Sequence, residues 1–482
     1  MTERPRLFDG RNRPITIALM GTMAIASYNN LSVTAALPEI GDDLGDVAWL
    51  PWTITAELLT AAIATLVAGP IIDGWGVRRT FRSAAVGFMA TSLLAAAAPS
   101  LPLLVAARAL QGVSIGFVVS VAIAGIGVSF PAELRPRAFA ANSAVWGVMG
   151  VGGPAIAAVI VATVGWRGIF LVNLPVAAVA ASIGWNALPG PQAGAAIGAL
   201  DRRGVVLVAL VTSAALLTAG GDPVVMIAGA AVVAVTGWRY VRHARSTPDA
   251  VVRLPDLTGL RVRRLHVASG VALACTLGTD SYLPVYIRGA RGGSTALAAF
   301  SVAFLTIGWS VAAYVSSRLQ DRHPAERVTL WGSLVILPGL AAATVLVAVD
   351  APVPLILAAA FAMGWGTGTI TTSTLAALQR RVATTEMGRV NSAHMFIRAI
   401  AITYGVAIAG AVIFAVVESR IGDVEPVREL LGGEDLAVDP TTRDALADGF
   451  AWALAVATVT VSLTVWTAVR MVRRPHTSPA MA

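Results

Sequence analysis

The sequence predicts an all-α, polytopic membrane protein: two six-helix pseudo-repeat bundles plus two inserted helices, fourteen transmembrane helices in all. Three observations predict it. Apolar runs of about 20 residues, long enough to span a bilayer, recur from end to end. Arginines gather in alternate loops. An Asp/Arg pair with a six-residue spacing, Asp73/Arg79, recurs as Asp321/Arg327. The 482 residues are 56% hydrophobic and 13% charged, with mean hydropathy +0.74. A soluble domain is nearer about a quarter charged. A large soluble helical protein would need polar faces at a 3.6-residue period, and most of these runs have none.

Residues 1–13 carry Arg4, Arg6, Arg11 and Arg13. A basic start before an apolar run has the form of a signal peptide. The run Pro14–Pro38 is too long for that, and acids follow it (Glu39, Asp42, Asp43, Asp46), so it reads as an uncleaved first membrane helix. The apolar pattern places helix 2 at about 50–70, helix 3 at about 83–98, helix 4 at about 101–122, helix 5 at about 138–163 and helix 6 at about 168–187. Residues 188–200, with Pro189, Gly190, Pro191 and Gly194, carry a linker signature. Helices 7 and 8 fall at about 203–220 and 223–241. The longest basic loop, 242–264, follows. Helices 9 to 12 fall at about 265–288, 294–317, 327–348 and 353–378, and helices 13 and 14 at about 389–417 and 448–470, on either side of an acidic loop, 418–446. A basic tail closes the chain.

Loops after helices 2, 4, 6, 8, 10 and 12, with both termini, hold most of the loop arginines. The positive-inside rule therefore places both termini in the cytoplasm. All 35 basic residues are arginine, with no lysine, the usage of a GC-rich bacterial genome, so the expected location is the bacterial inner membrane. The repeated Asp/Arg pair divides the chain into an N-terminal bundle (1–199), two inserted helices with a cytoplasmic linker (200–262) and a C-terminal bundle (263–482). Parallel repeats about the membrane normal are a transporter design, with the substrate site near the midplane.

The net charge of +8 is spread over many loops, so nucleic acid is not an expected partner. Cys275, the single cysteine, lies in an apolar run and reads as packing. No nucleotide-binding loop, metal cluster or Ser/His/Asp arrangement is present, so the reading is of no enzyme, no cofactor and no metal. Gly147, Gly150, Gly152 and Gly153 lie inside a spanning helix with no strand before them, which removes a dinucleotide fold. Gly112/Gly116 and Gly364/Gly368 are small-xxx-small pairs that let helices approach closely. Pro154 is placed to kink helix 5.

The turn Gly69-Pro-Ile-Ile-Asp73-Gly-Trp-Gly76-Val-Arg78-Arg79 joins helices 2 and 3. Its glycines permit a tight backbone, and Asp73 sits where it can bond helix-end N–H groups or the neighbouring arginines. This turn resembles the loop between helices 2 and 3 of the major facilitator superfamily, through Gly69, Asp73, Gly76 and Arg78; Gly74 and Val77 depart from that pattern. Leu104-Val-Ala-Ala-Arg108-Ala-Leu-Gln111-Gly112 is similar to the family's helix 4 motif. Gly150, Gly152, Gly153 and Pro154 match its antiporter motif in part, with Ala157-Ala158 in place of the closing glycines. Gly165-Trp166-Arg167-Gly-Ile-Phe170-Leu-Val-Asn173-Leu-Pro175 is the most specific match. Ala36-Leu37-Pro38 fits the end of the helix 1 motif, but Asn29 stands where that motif has an acid. Ser281-Tyr282-Leu283-Pro284 and Arg398 fit the second half. Within the family the resemblance is to the fourteen-helix drug:proton antiporters. It implies a conformational latch at Gly69, Asp73, Gly76, Arg78 and Arg79, with Asp321 and Arg327 as its counterpart.

An ionisable side chain in the bilayer costs ~2.5–3.5 kcal/mol and needs a reason. Glu57, about two turns into helix 2, is the first candidate for proton coupling, since burial raises a carboxyl's pKa. The alternative is a structural hydrogen bond. Arg108 is a fixed charge that either pairs with Glu57 or bridges to carbonyls. Asp280, among polar neighbours on helix 9, is a second protonation site or an interfacial acid. His394 and Arg398 are one turn apart on helix 13 and share a face, and His394 is expected in a solvated position near the helix end. Tyr28, Asn29, Glu57, Trp146, Tyr282, Trp365 and Arg398 are the candidate substrate contacts, with Tyr404 a further aromatic. The expected partners are a small-molecule substrate, protons and the lipid bilayer, and the expected state a monomer. The functional expectation is proton-driven export of amphipathic molecules. The alternatives are export or flipping of one metabolite or lipid with weak or no proton coupling, and a non-transporting scaffold.

Overall fold

The computed structural model describes residues 6–45, 49–190, 201–217, 223–248, 250–255, 259, 262–422, 424, 427 and 439–473. Asp46, most of the linker 188–200, Arg261, most of the acidic loop and the basic tail lie outside the described residues. Among those described, the chain is helical with no strand. The main helices are α1 (Asn12–Leu44), α2 (Leu50–Trp75), α3 (Val77–Ala96), α4 (Leu101–Ser129), α5 (Arg135–Val164), α6 (Asn173–Ala187), α7 (Arg202–Leu217) and α8 (Pro223–Ser246). They continue with α9 (Arg263–Asp280), α10 (Thr295–Leu319), α11 (Ala325–Ala348), α12 (Val353–Arg380), α13 (Met387–Ile421) and α14 (Pro440–Arg473). Nine helical segments among the described residues are long and apolar enough to cross a membrane, and ten if the bent α5 counts as one. α1, α3, α7 and α9 fall outside that number. α7 is described over 16 residues, about 24 Å of rise against a hydrocarbon core of about 30 Å, and residues 218–222 after it lie outside the described residues.

The chain folds as two compact units. One comprises Met1–Ser213, Val232–Gly259 and Leu378–Phe396; the other comprises Ala214–Ala231, Leu260–Ala377 and Ile397–Ala482.

In the first unit, α2 and α4 pack backbone to backbone. A Cβ on Gly116 would lie 2.7 Å from the Ala64 Cβ and 2.9 Å from the Thr65 nitrogen, and one on Gly112 would strike the Glu57 carbonyl and the Thr60 hydroxyl. Only glycine allows this approach. Thr60 Oγ1 then donates to the Ala109 carbonyl across the seam, at 2.7 Å. The second unit repeats the device: a Cβ on Gly364 would meet Leu305, one on Gly368 would meet Trp309, and one on Gly308 would meet Phe361. α9 and α13 also close on glycines, Gly278 against Gly405. α5 bends by 48° between Gly150 and Ala155, where Pro154 lacks an N–H and two glycines precede it.

The motif Gly165-Trp166-Arg167 fastens the start of the Gly168–Leu171 turn to the end of α1. Gly165 has φ +85°, a conformation glycine adopts without strain. The Trp166 indole Nε1 donates to Asp43 Oδ2 at 3.0 Å, and Arg167 Nη1 reaches the same oxygen at 2.7 Å. The Arg167 guanidinium also lies 4.2 Å over the Trp166 ring. The hydrogen bond from Arg167, then that from Trp166, holds the Asp43 carboxyl below its ordinary value.

The turn between α2 and α3 is tighter than the apolar pattern suggests. α2 runs through Pro70 to Trp75, and α3 starts at Val77. Gly76 alone separates them, at φ +81°, with its N–H on the Ile72 carbonyl at 2.9 Å. Asp73 is therefore in the last turn of α2, not in an open loop.

Candidate functional site

Three of the sequence candidates meet in one buried network in the first unit. Glu57 on α2 and Arg108 on α4 are 2% and 1% exposed and form an ion pair through Oε2 and Nη2. The seam at Gly112 and Gly116 positions them, because it brings the two helices into backbone contact one turn away from Arg108. Asn29 on α1 donates its Nδ2 to Glu57 Oε1 at 2.7 Å, and its Oδ1 accepts from Arg108 Nη1 at 3.2 Å. The amide orientation is unambiguous, since guanidinium only donates and carboxylate only accepts. Arg108 Nη1 also reaches Gln111 Oε1 at 2.5 Å, and its Nε donates to the Thr53 carbonyl at 3.1 Å. Gln111 Nε2 passes the chain on to Ser92 at 2.8 Å. The Phe170 ring lies 5.7 Å from the guanidinium carbon.

This arrangement has a chemical consequence. Protonating Glu57 removes the only carboxylate on Arg108 among the described residues. The guanidinium would keep three neutral acceptors: Gln111, Asn29 and the Thr53 carbonyl. A buried charge is costly when its partner is lost; here Nε and Nη1 of Arg108 keep their acceptors in either state of Glu57, while Nη2 bonds Glu57 alone among the described residues. Gln111 was visible in the helix 4 motif, but Thr53 and Ser92 carried no sequence signal, because their roles arise from neighbouring helices.

The turn residues meet a different partner. Asp73 Oδ1 accepts from the backbone N–H of Gly388 at 2.7 Å and Oδ2 from that of Arg389 at 2.9 Å. These are first-turn N–H groups of α13, where a carboxylate is favoured by the unpaired donors and the helix dipole. Gly69 and Gly388 make this approach possible. A Cβ on Gly69 would stand 2.9 Å from the Arg389 Cα, and one on Gly388 would stand 2.6 Å from Asp73 Oδ1 and from the Gly69 carbonyl. Arg78 turns elsewhere: its Nε donates to the Leu188 carbonyl at 2.6 Å and its N–H to Pro189 at 3.1 Å. Arg79 lies over the Trp75 ring at 4.9 Å. A second link nearby joins Arg135 Nη1 to the Gln379 carbonyl at 2.9 Å, while Gln379 Nε2 donates to the Ile123 carbonyl and to Asn391. In the counterpart turn, Asp321 and Arg327 are exposed.

Of the remaining candidates, Tyr28 is buried in the first unit and Trp146 is 36% exposed there. His394 is fully buried rather than solvated, as are Asn391, Ser392 and Ala393 beside it on α13. Asp280, Tyr282, Trp365 and Arg398 belong to the second unit. Asp280 is buried, and its Oδ1 has no hydrogen-bond partner among the described residues. Gly270 of α9 lies against Ile397 and Ala401 of α13, which sets the level of Arg398. Asp280 is ten residues further along α9, on the order of 15 Å, so the two do not pair. Trp365 lies beside Phe361, with ring centroids 6.2 Å apart and the rings tilted by 45°, and the Tyr282 hydroxyl faces Gly410. Among the described residues no group of His, Cys, Asp and Glu could hold a metal.

Residues 17–406 match the family model of the Major Facilitator Superfamily. A multidrug transporter protein of Bacillus subtilis is 26% identical over 84% of this chain and 77% of its own length. A puromycin resistance protein of Streptomyces alboniger is 30% identical over 68% of this chain and 67% of its own. A probable multidrug-efflux transporter of Mycobacterium tuberculosis is 28% identical over 70% and 73%. Among solved structures, a human organic anion transporter aligns with TM-score 0.64 over 94% of this chain and all of its own, at 14% identity. A proton:xylose symporter aligns with TM-score 0.61 over 95% of each chain, also at 14% identity. At that identity the structural likeness bears on fold alone.

Proposed function

Because the chain belongs to the Major Facilitator Superfamily, we propose that it is a secondary active transporter that exports amphipathic small molecules by proton antiport through alternating access. The observation that carries this reading is the Asn29–Glu57–Arg108–Gln111 network. An intramembrane acid that shares its cation with neutral acceptors is suited to take up and release a proton, because part of the cation's hydrogen bonding is kept when the acid is neutral. Glu57 then supplies the titrating group that Asn29 cannot. The multidrug and puromycin-resistance relatives support amphipathic substrates. Tyr28, Asn29, Glu57, Trp146, Tyr282, Trp365 and Arg398 are the substrate contacts of this reading, with Asp280 a second protonatable group.

The proposal includes fourteen spanning helices, organised as 1–199, 200–262 and 263–482, in a bacterial inner membrane as a monomer with both termini cytoplasmic. Cysteines introduced at Arg78 and Arg253 should be labelled only from the cytoplasmic side; labelling of either from outside would overturn the orientation.

A second reading is export or flipping of one metabolite or lipid with weak or no proton coupling, favoured by Asn29 in place of the acid of related motifs. Reconstitution in proteoliposomes separates the two. Proton antiport requires that an imposed pH gradient accelerate uptake of lipophilic cations several-fold and that a protonophore remove the gain. Equal rates with and without the gradient would favour the second reading.

A further inference from the structure

The inserted helices α7 and α8 carry a cavity that the transport reading does not use. It has a volume of about 450 Å³ and is lined by Arg203, Trp238, Arg239, Arg242, His243 and Ser246. Arg203 lies in the first turn of α7, and the other five lie on the last turns of α8, one face of which they share by their spacing of three and four. Among the described residues no carboxylate pairs with Arg203, Arg239 or Arg242. Among the described residues the acid beside them, Asp201, is already engaged: its Oδ1 meets His243 Nε2 at 2.8 Å and accepts the Gly204 N–H at 2.8 Å, and its Oδ2 accepts the Val251 N–H at 3.2 Å. Tyr240 fixes the same wall, with its hydroxyl donating to the Val252 carbonyl at 2.8 Å and accepting the Val252 N–H at 2.9 Å. Three guanidinium groups thus face one cavity, with no carboxylate paired to them among the described residues.

The surface around the cavity says which anion it suits. Along α7, Arg203 is followed on the same face by the exposed Val206 and Leu210; along α8, the exposed Val232 and Val235 lead to Trp238, which is 61% exposed. Both helices therefore change from apolar to basic at the same end, with a tryptophan at the change and the Arg242 guanidinium 5.7 Å from its ring. Exposed valine and leucine, then tryptophan, then arginine is the order of a helix surface passing from acyl chains to headgroups. A soluble anion has no use for the apolar side, and a phosphate alone would leave most of the volume empty. We propose that this cavity binds the phosphodiester headgroup of an anionic phospholipid, whose acyl chains lie along Val206, Leu210, Val232 and Val235. The arginines hold the phosphate through paired N–H donors, and Trp238 packs at the glycerol level. The site depends on the membrane placement of α7 and α8 and not on proton coupling.

The test uses the full-length protein in phosphatidylcholine nanodiscs doped with brominated phosphatidylglycerol or with brominated phosphatidylcholine. The Trp238 signal is isolated by subtracting Trp238→Phe. Brominated phosphatidylglycerol should quench Trp238 several-fold more than the zwitterionic lipid at equal content. Each of Arg203→Ala, Arg239→Ala and Arg242→Ala should lower the preference by about fivefold. All three are exposed, and Arg239→Gln provides a milder change. Arg245→Ala, on the same helix end but outside the lining, should leave the preference intact. Equal quenching by both lipids, or an equal loss in Arg245→Ala, would overturn the site. Loss of the preference on adding millimolar inorganic phosphate would assign the cavity to a free soluble anion instead.

Discussion

Glu57→Gln is expected to reduce pH-gradient-driven transport to the level of empty vesicles while leaving downhill substrate exchange in place. The argument follows from the network. Glutamine keeps the shape and accepts from Arg108, but cannot release a proton, so any cycle that needs one stops. The substitution also removes one side of a buried ion pair, a change that typically costs about 3–5 kcal/mol when the remaining charge is left uncompensated. Here Gln111, Asn29 and the Thr53 carbonyl remain on Arg108, so the loss should fall at the lower end of that range. The double variant Glu57→Gln/Arg108→Gln separates the two effects. It should regain thermal stability relative to Glu57→Gln and stay uncoupled. Asp280→Asn should do less to gradient-driven transport. The measurement is gradient-driven uptake in inverted vesicles beside counterflow in the same preparation. Full gradient-driven uptake by Glu57→Gln would exclude Glu57 as the coupling group and move the role to Asp280 or to an uncoupled carrier.

Asp73→Asn should slow turnover by about tenfold or more with substrate affinity and folding nearly unchanged. Its carboxylate holds two backbone N–H groups at the start of α13, and hydrogen bonds to a charged group are worth about 1.5–3 kcal/mol. If these bonds exist in one end state of the cycle, losing that amount shifts the balance between states by about ten- to a hundredfold. The clamp bears on α13, a helix whose residues from Ile397 onward belong to the second unit. Gly388→Val gives an independent arm. Its side chain would press on Asp73 and the Gly69 carbonyl, so it should reproduce the slow turnover with the acid still in place. Arg79→Ala should have a smaller effect, since Arg79 lies on Trp75 and not on Asp73. Wild-type turnover in both Asp73→Asn and Gly388→Val would refute the latch.

Much of the candidate site was legible beforehand because a charge in an apolar run is conspicuous. Glu57, Arg108 and Asp280 declared themselves through their cost in a bilayer. The glycine pair Gly112/Gly116 was legible as small residues at helical spacing, and the structure shows what they admit: the α2 backbone beside Glu57. Their neighbours were less legible. Gly388 looks like any glycine near a helix start, and its significance comes from Asp73, 315 residues away in the chain. His394 read as solvated because only its distance from the helix end was available, whereas tertiary packing decides its burial. The cavity at Arg203 was legible only as the start of a basic loop at Arg242, since its arginines come from two helix ends that only the folded chain brings together.

The sequence by itself determined the helical class, the order of the helices, the family and the small set of charges that require an explanation. These follow from local quantities: hydropathy summed over a span, turn chemistry, and residue types at fixed spacing. Only the tertiary structure decided how those charges are satisfied. Whether Glu57 meets Arg108, whether Asn29 lies between them, and whether Asp73 faces an arginine or a helix N-terminus depend on helix rotations and close approaches that no single segment specifies. A buried charge takes whichever partner the packed backbone puts within about 3 Å, and glycines at Gly69, Gly112, Gly116 and Gly388 set that distance here.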